Sequence, residues 1–349
     1  MIHFFRKIRK NLLAENKTTR YLKYAIGEVI LIMLGIFMAL QLQNWNEKRK
    51  QEAEFKVTLE QLYNSIDKDI SKSENTIHYL SKQGQLIQAI MSDTDSIPRD
   101  KLIPVLFYLD SQPPEYMRSE SAYQFSLLKP NPHNSIHNEI SKQISSYVDS
   151  NSTFLIKNNS NPIISEYLTK HGISKVYLQF GYAQINNFTD YDGDYYTDDD
   201  INKVLELLKT EDLKNILKET LSYKQHSYFQ YNLGIQDGVS MQNMIKAYYP
   251  TVKLLYKDLG IIGNAIGGWA HSVPMTLVDP NNCVWQIETT LKDGFIKFRS
   301  RDSWTENWGK TGFTNKALYS GDNIPVTAGT YKITLNLSEK TYEFTKQNE

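Results

Sequence analysis

Two tryptophans, Trp304 and Trp308, stand in the polar run Arg301-Asp-Ser-Trp-Thr-Glu-Asn-Trp-Gly-Lys310, where strand alternation does not dictate burial. A third, Trp269, follows Gly267 and Gly268. Exposed rings beside polar groups suit a ligand with apolar C–H faces ringed by hydroxyls, which is the surface of a pyranose. Lys297 and Arg299 lead into the run on the polar side of their strand, and Asn307 lies within it, so hydrogen-bonding groups are close at hand. The same residues also suit another arrangement, with Trp304 and Trp308 folded over the end of a β-domain as a cap. Trp285 shares its side with Ile287 and reads as core.

A second cluster is acidic. Asp190, Asp192, Asp194 and Asp198 occupy positions 1, 3, 5 and 9 of a loop, the oxygen-rich spacing that calcium uses. Tyr195 stands where such a loop turns on Gly, however, and Ile201 where it closes on Glu. The competing reading is a solvated loop in which Thr197 caps the next helix and Asp198, Asp199 and Asp200 complement its dipole. His133 and His137 are four apart with no third ligand near them, too little for zinc. The chain has no G-x-S-x-G, no Walker loop and no Cys/His nucleophile arrangement, and the expectation is a protein that is not an enzyme and needs no cofactor beyond possible calcium.

The elements that must carry these residues begin with an apolar stretch, Tyr24 to Leu42. As a helix it is about 28 Å long, close to the ~30 Å hydrocarbon core of a bilayer. Seven Lys/Arg residues precede it and four follow (Lys48, Arg49, Lys50 and Lys56), a bias that places the N-terminus in the cytoplasm and the rest in the periplasm of an inner-membrane protein. A cleaved signal peptide is the rival, but no clear A-x-A site follows. Met1, Phe4, Phe5, Ile8 and Leu12 share one helical face ahead of the span, as in a helix lying on an anionic leaflet. Within the span, Gly35 and Ala39 form a small-xxx-small pair that suits helix association and homo-oligomers, or is ordinary membrane-helix composition. Glu28 costs at least about 2.5 kcal/mol at a bilayer centre if ionised, but lies one turn in, where it can snorkel. Trp45 with Tyr21 and Tyr24 fits an aromatic belt.

The run from Phe4 to Lys50, through FFRKIR, NLL, YLKYAIGE and ALQLQNWNE, resembles the N-terminus of a large uncharacterised family of bacterial membrane proteins common in Bacteroidota. DLKNILKETLSYKQHSYFQ, from Asp212 to Gln230, resembles that family's distal helical part. The resemblance implies a single-span topology and brings no activity with it.

Beyond the span the composition is that of a folded protein, 40% hydrophobic with 39 basic and 39 acidic residues. Once the membrane-proximal charges are set aside no basic stripe remains, which argues against nucleic acid as a partner. One cysteine, Cys283, excludes an internal disulfide. Phe55, Leu59, Leu62, Ile66, Ile70, Ile77, Leu80, Ile87 and Met91 recur at helical spacing, interrupted as a heptad by Asp69 and Ser73, so packing within the chain is favoured over a long coiled coil. A second helical pattern runs from Asp200 to about Tyr248. After Pro250 the period drops to two, at Trp285-Ile287-Leu291, Ile296-Phe298 and Tyr331-Ile333-Leu335-Leu337, with turn signals between. The expected fold is multidomain: a cytoplasmic basic segment at 1–23, a single transmembrane helix at 24–43, an all-α domain at 47–248, a linker at 249–257 and an all-β immunoglobulin-like sandwich at 258–346.

The sandwich segment also carries a resemblance. LGIIGNAIGGW, VDPNNCVWQIETTLKDGFIKFRSRDSWTENWG and SGDNIPVTAGTYKITLNL are similar to the carbohydrate-binding domains of the SusE and SusF starch-utilisation proteins. That implies gripping of neutral oligosaccharides through aromatic platforms and polar side chains. Such relatives are usually surface lipoproteins, whereas this copy follows a bilayer-spanning segment, so capture of extracellular starch is not implied. The alternative is a membrane-anchored helical scaffold working through protein contacts, with the sandwich as an interaction module.

Overall fold

The computed structural model describes residues 18–111, 119–149, 163–174, 196–311 and 314–347. The basic segment ahead of residue 18 and the acidic residues Asp190, Asp192 and Asp194 lie outside these. The chain divides into two units, Met1–Val57 and Thr58–Glu349, and helix α1 (Thr18–Ser92) contributes to both.

In the first unit the apolar stretch is helical throughout, and its large apolar side chains from Ile26 to Leu42 are exposed. Leu31, Met33, Phe37, Met38 and Leu42 are all more than half exposed. This helix is long and apolar enough to span a membrane, and its exposed side chains are those a bilayer would cover. A Cβ added at Gly35 would touch nothing within 4 Å. Trp45 is exposed, with the Arg49 guanidinium 5.5 Å from its ring centre.

In the second unit α1 buries Leu59, Leu62, Ile66, Ile70, Leu80 and Ile87, the face the spacing predicts, while Met91 remains exposed. Helix α2 (Leu102–Leu109) is apolar on nearly every side and buried accordingly. Helices α3 (Ser119–Ser126), α4 (Ser135–Asp149) and α5 (Ile163–Lys170) are short. The second long pattern is two helices, α6 (Asp198–Lys209) and α7 (Glu211–Tyr248). Thr210 breaks it: its extended backbone ends α6, and its hydroxyl accepts the Leu213 N–H to start α7. At the other end of α6, Thr197 and Asp200 form a reciprocal capping box, the role expected of Thr197. Gly238 lets α7 close on α1, where a Cβ would stand 2.7 Å from Ile70 Cγ1. His137 is buried on α4, accepting the Asn131 N–H on Nδ1 and meeting Tyr249 Oη through Nε2. His133 lies in the turn before that helix.

Among the described residues ten antiparallel strands follow, completing the helix-plus-β-sandwich architecture expected from the sequence. One layer orders β2 (Gly268–Pro274), β1 (Leu259–Gly263), β5 (Gly294–Ser300), β6 (Asn307–Thr311) and β7 (Thr314–Tyr319). The other orders β10 (Thr341–Lys346), β9 (Gly329–Asn336), β4 (Val284–Leu291) and β3 (Thr276–Asp279). The layers join at the single pair Lys316↔Thr341, and β8 (Ile324–Val326) extends β5. Ile261, Ile296, Phe298, Ile333 and Leu335 are fully buried, and the Phe298 and Tyr342 rings meet at 5.9 Å.

The segment at 249–257, read as a linker, packs closely: Val252, Leu254 and Tyr256 are buried. Asn64 of α1 accepts the Leu255 N–H at 2.6 Å and donates to the Lys253 carbonyl at 3.2 Å, while Tyr256 Oη donates to Asp67 at 2.9 Å. Ion pairs Lys68–Glu306 at 2.5 Å and Glu74–Lys340 at 2.8 Å extend the helix–sandwich contact.

Candidate functional site

The outer face of β5 and its neighbours carries the candidate residues, and register explains which of them meet. Phe298 pairs with Trp308 and Arg299 with Asn307. Directly opposed residues of an antiparallel pair share a face. Trp308 therefore points inward with Phe298, whereas Arg299, Asn307 and Lys297 share the outer face.

Trp308 is only 1% exposed, packed edge-on against Tyr256 at 5.1 Å and Tyr319 at 6.1 Å. It belongs to the core, which corrects the expectation of a Trp304/Trp308 platform. Trp304 is 47% exposed and Trp269 37%, and their rings meet at 6.1 Å, tilted by 35°. The paired rings come from β2 and the β5–β6 loop, about thirty-five residues apart in sequence and brought together although β1 lies between β2 and β5 in the sheet.

The loop that presents Trp304 is tightly built. Ser303 N–H donates to Ser300 O across a turn whose two central residues, Arg301 and Asp302, have φ of 52° and 51°. This is the pattern of a type I′ turn, and a left-handed backbone costs non-glycine residues on the order of 1–2 kcal/mol each. Asp302 holds the turn in place. It accepts the Ser272 N–H at 2.9 Å, meets His271 Nδ1 at 3.2 Å and pairs with Arg299. Hydrogen bonds from Ser272 foremost, then His271 and the Arg299 charge, hold its carboxyl well below the ordinary carboxylate range. On the far side Asn307 Nδ2 donates to Trp304 O at 2.7 Å, and Tyr319 Oη donates to Thr305 O.

Beneath Trp304 lie two cations. Arg299 is 2% exposed, with its guanidinium carbon 4.9 Å from the Trp304 ring centre. It also donates to Ser272 Oγ at 2.6 Å and Ala270 O at 2.9 Å, so it braces β2 against the loop. Lys297 Nζ is 6.0 Å from the same ring centre, and its side chain is buried although the sequence places it on the polar face. The reason is the β7–β8 loop, which lies over Gly309: a Cβ there would run into the carbonyls of Gly321 and Asp322. Burial pulls the Lys297 ammonium down to about 8, with Asp322 opposing the change.

The chemistry available is therefore stacking on a rigid indole pair, backed by cation–π contacts and polar groups. Sequence reading missed the Asp302 tie to Ser272 and His271, although an Asp in a short loop between strands is a turn signal. Of the acidic cluster, only Asp198 lies among the described residues, in the first turn of α6, and these residues contain no group of three that could hold a metal.

A family described as a family of unknown function (DUF6090) matches residues 28–100, a span that takes in the apolar stretch from Glu28 onward, the rest of α1 and the turns just after it, and leaves out the sandwich. Neither the curated proteins nor the solved structures gave a match.

Proposed function

We propose that this is a membrane-anchored glycan-binding protein that acts by binding and not by catalysis, with the Trp269–Trp304 pair as the platform. The observation that carries the reading is the pair itself: two exposed indoles 6.1 Å apart, Trp269 on β2 and Trp304 on the braced β5–β6 loop, above buried polar groups. The similarity of the sandwich segment to the SusE and SusF domains supports the same reading. The bias of seven basic residues before the span against four after it supports an inner-membrane location with the sandwich in the periplasm.

Calorimetry of the detergent-solubilised full chain against an oligosaccharide panel should give dissociation constants in the micromolar to millimolar range, about 4–8 kcal/mol. Trp304→Ala and Trp269→Ala should each weaken binding about tenfold or more, since stacked aromatic anchors dominate such sites. Binding indifferent to both substitutions, or no binding at all, sinks the proposal. The orientation has its own test: protease added to spheroplasts should digest the region after Trp45 and spare the anchor. Complete protection of the sandwich would reverse the topology.

A further inference from the structure

Strand β2 leaves its register at the indole pair. In the β1–β2 ladder Ile261 pairs with Val273 and Gly263 with Gly268, so Ile262 alone stands opposite Trp269, Ala270, His271 and Ser272. The chain bulges there, and bulges re-aim side chains. β5 and the loop after it hold the bulge: Arg299 donates to Ala270 O and Ser272 Oγ, and Asp302 accepts the Ser272 N–H. Two side-chain contacts join the same segments. The Trp269 and Trp304 rings meet at 6.1 Å, and His271 Nδ1 meets Asp302 Oδ2 at 3.2 Å. His271 follows Trp269 by two residues and Asp302 precedes Trp304 by two, the relation of successive same-face pairs between antiparallel chains. Two residues span no more than about 7 Å, so the imidazole stands beside the indoles.

The ring is tied at one nitrogen and open at the other. Its side chain is 89% exposed, and the Asp302 carboxyl, held well below the ordinary carboxylate range, stays ionised and can only accept. Nδ1 therefore carries the proton, which leaves Nε2 of the neutral imidazole as an acceptor. Stacked indoles grip the apolar face of a pyranose but do not tell one hydroxyl pattern from another. We infer that His271 orients the sugar on the Trp269–Trp304 platform, its Nε2 accepting a hydrogen bond from a hydroxyl at the rim of the stacked ring. The platform thereby selects saccharides with a free hydroxyl at that position and rejects those methylated there. This rests on the glycan-binding proposal and adds to it the residue that reads the sugar. Because Asp302 already fixes the imidazole, little side-chain freedom is lost when the sugar arrives.

The test uses the detergent-solubilised full chain and the tightest binder among maltohexaose, cellohexaose, xylohexaose and mannohexaose. Asparagine reproduces the Nδ1 donor toward Asp302 but has nothing in place of Nε2, whereas glutamine can set an amide oxygen where Nε2 stands. His271→Asn should weaken binding about three- to tenfold, the net worth of one neutral hydrogen bond, and His271→Gln should weaken it less. Removing the partner hydroxyl from the sugar should cost the native protein the same factor and cost His271→Asn nothing further, a coupling that a merely bracing histidine does not show. Both variants should keep the native melting temperature, since the ring is exposed. Undiminished binding by His271→Asn, or a loss that adds in full to that of every monodeoxy sugar, overturns the orienting role while leaving the indole platform intact. Failure of every sugar overturns both, and a sharply lowered melting temperature in both variants assigns His271 to the scaffold instead.

Discussion

Trp308→Ala is expected to destabilise the protein by about 3–5 kcal/mol, the range for truncating a buried tryptophan. The indole fills the inner face between Tyr256 and Tyr319, and it is among the largest fully buried side chains described. Tyr256 in turn reaches Asp67 on α1, so the cavity would open where helix and sandwich meet. Trp304→Ala, by contrast, should change stability by less than about 1 kcal/mol, as its ring is half exposed. Urea denaturation followed by circular dichroism separates the two. Equal losses would mean that Trp304 is a structural cap, and a negligible loss at Trp308 would return that ring to the surface.

Asp69→Asn is expected to stabilise the protein at pH 7.5 by about 2–3 kcal/mol, with the gain vanishing near pH 4. Asp69 is 3% exposed; Oδ2 accepts the Ser121 N–H at 3.3 Å, while Oδ1 is buried without a partner. Burial, aided by nearby Glu120, pushes its pKa up to about 6 against the lowering influence of Ser121 and Lys72. The sign follows from proton binding. Between an unfolded value of ~3.9 and the folded value, the folded state holds more protons than the unfolded one. Stability from this group is therefore full below pH ~4 and is lost as pH rises through about 6. Denaturation curves of both proteins at the two pH values check this. A substitution that destabilises at pH 7.5 would show that the ionised carboxylate is favourably paired with Lys72.

Asp69 also illustrates how far the chain could be read without its fold. Its position as an interruption in an apolar heptad was plain, and so was the conclusion that α1 packs within its own chain. What surrounds the carboxylate was not, because Ser121 lies 52 residues away and meets it only when α3 is docked.

Periodicity is a local property, and what depends on it was legible: the bilayer-length apolar helix, the long amphipathic face from Leu59 to Ile87, the change to strands after Pro250, and the Thr197 cap. The single break at Thr210 escaped because a threonine cap costs little within a continuous helical pattern. The site was legible as a set of residue types but not as an arrangement. Register decides that Phe298 opposes Trp308 and Arg299 opposes Asn307, and sliding a strand by one residue exchanges its faces. Hence Trp308, read from its polar neighbours as a platform ring, is core. Trp269 is brought to Trp304 across β1 and β5, by hydrogen bonds between segments about thirty residues apart, such as Ser272 to Asp302. Burial of Lys297 likewise depends on a loop from beyond β7 that closes over Gly309. Side-chain type and spacing are set by neighbours along the chain, whereas exposure and partnership are set by which distant backbone arrives, and only the folded sheet contains that information.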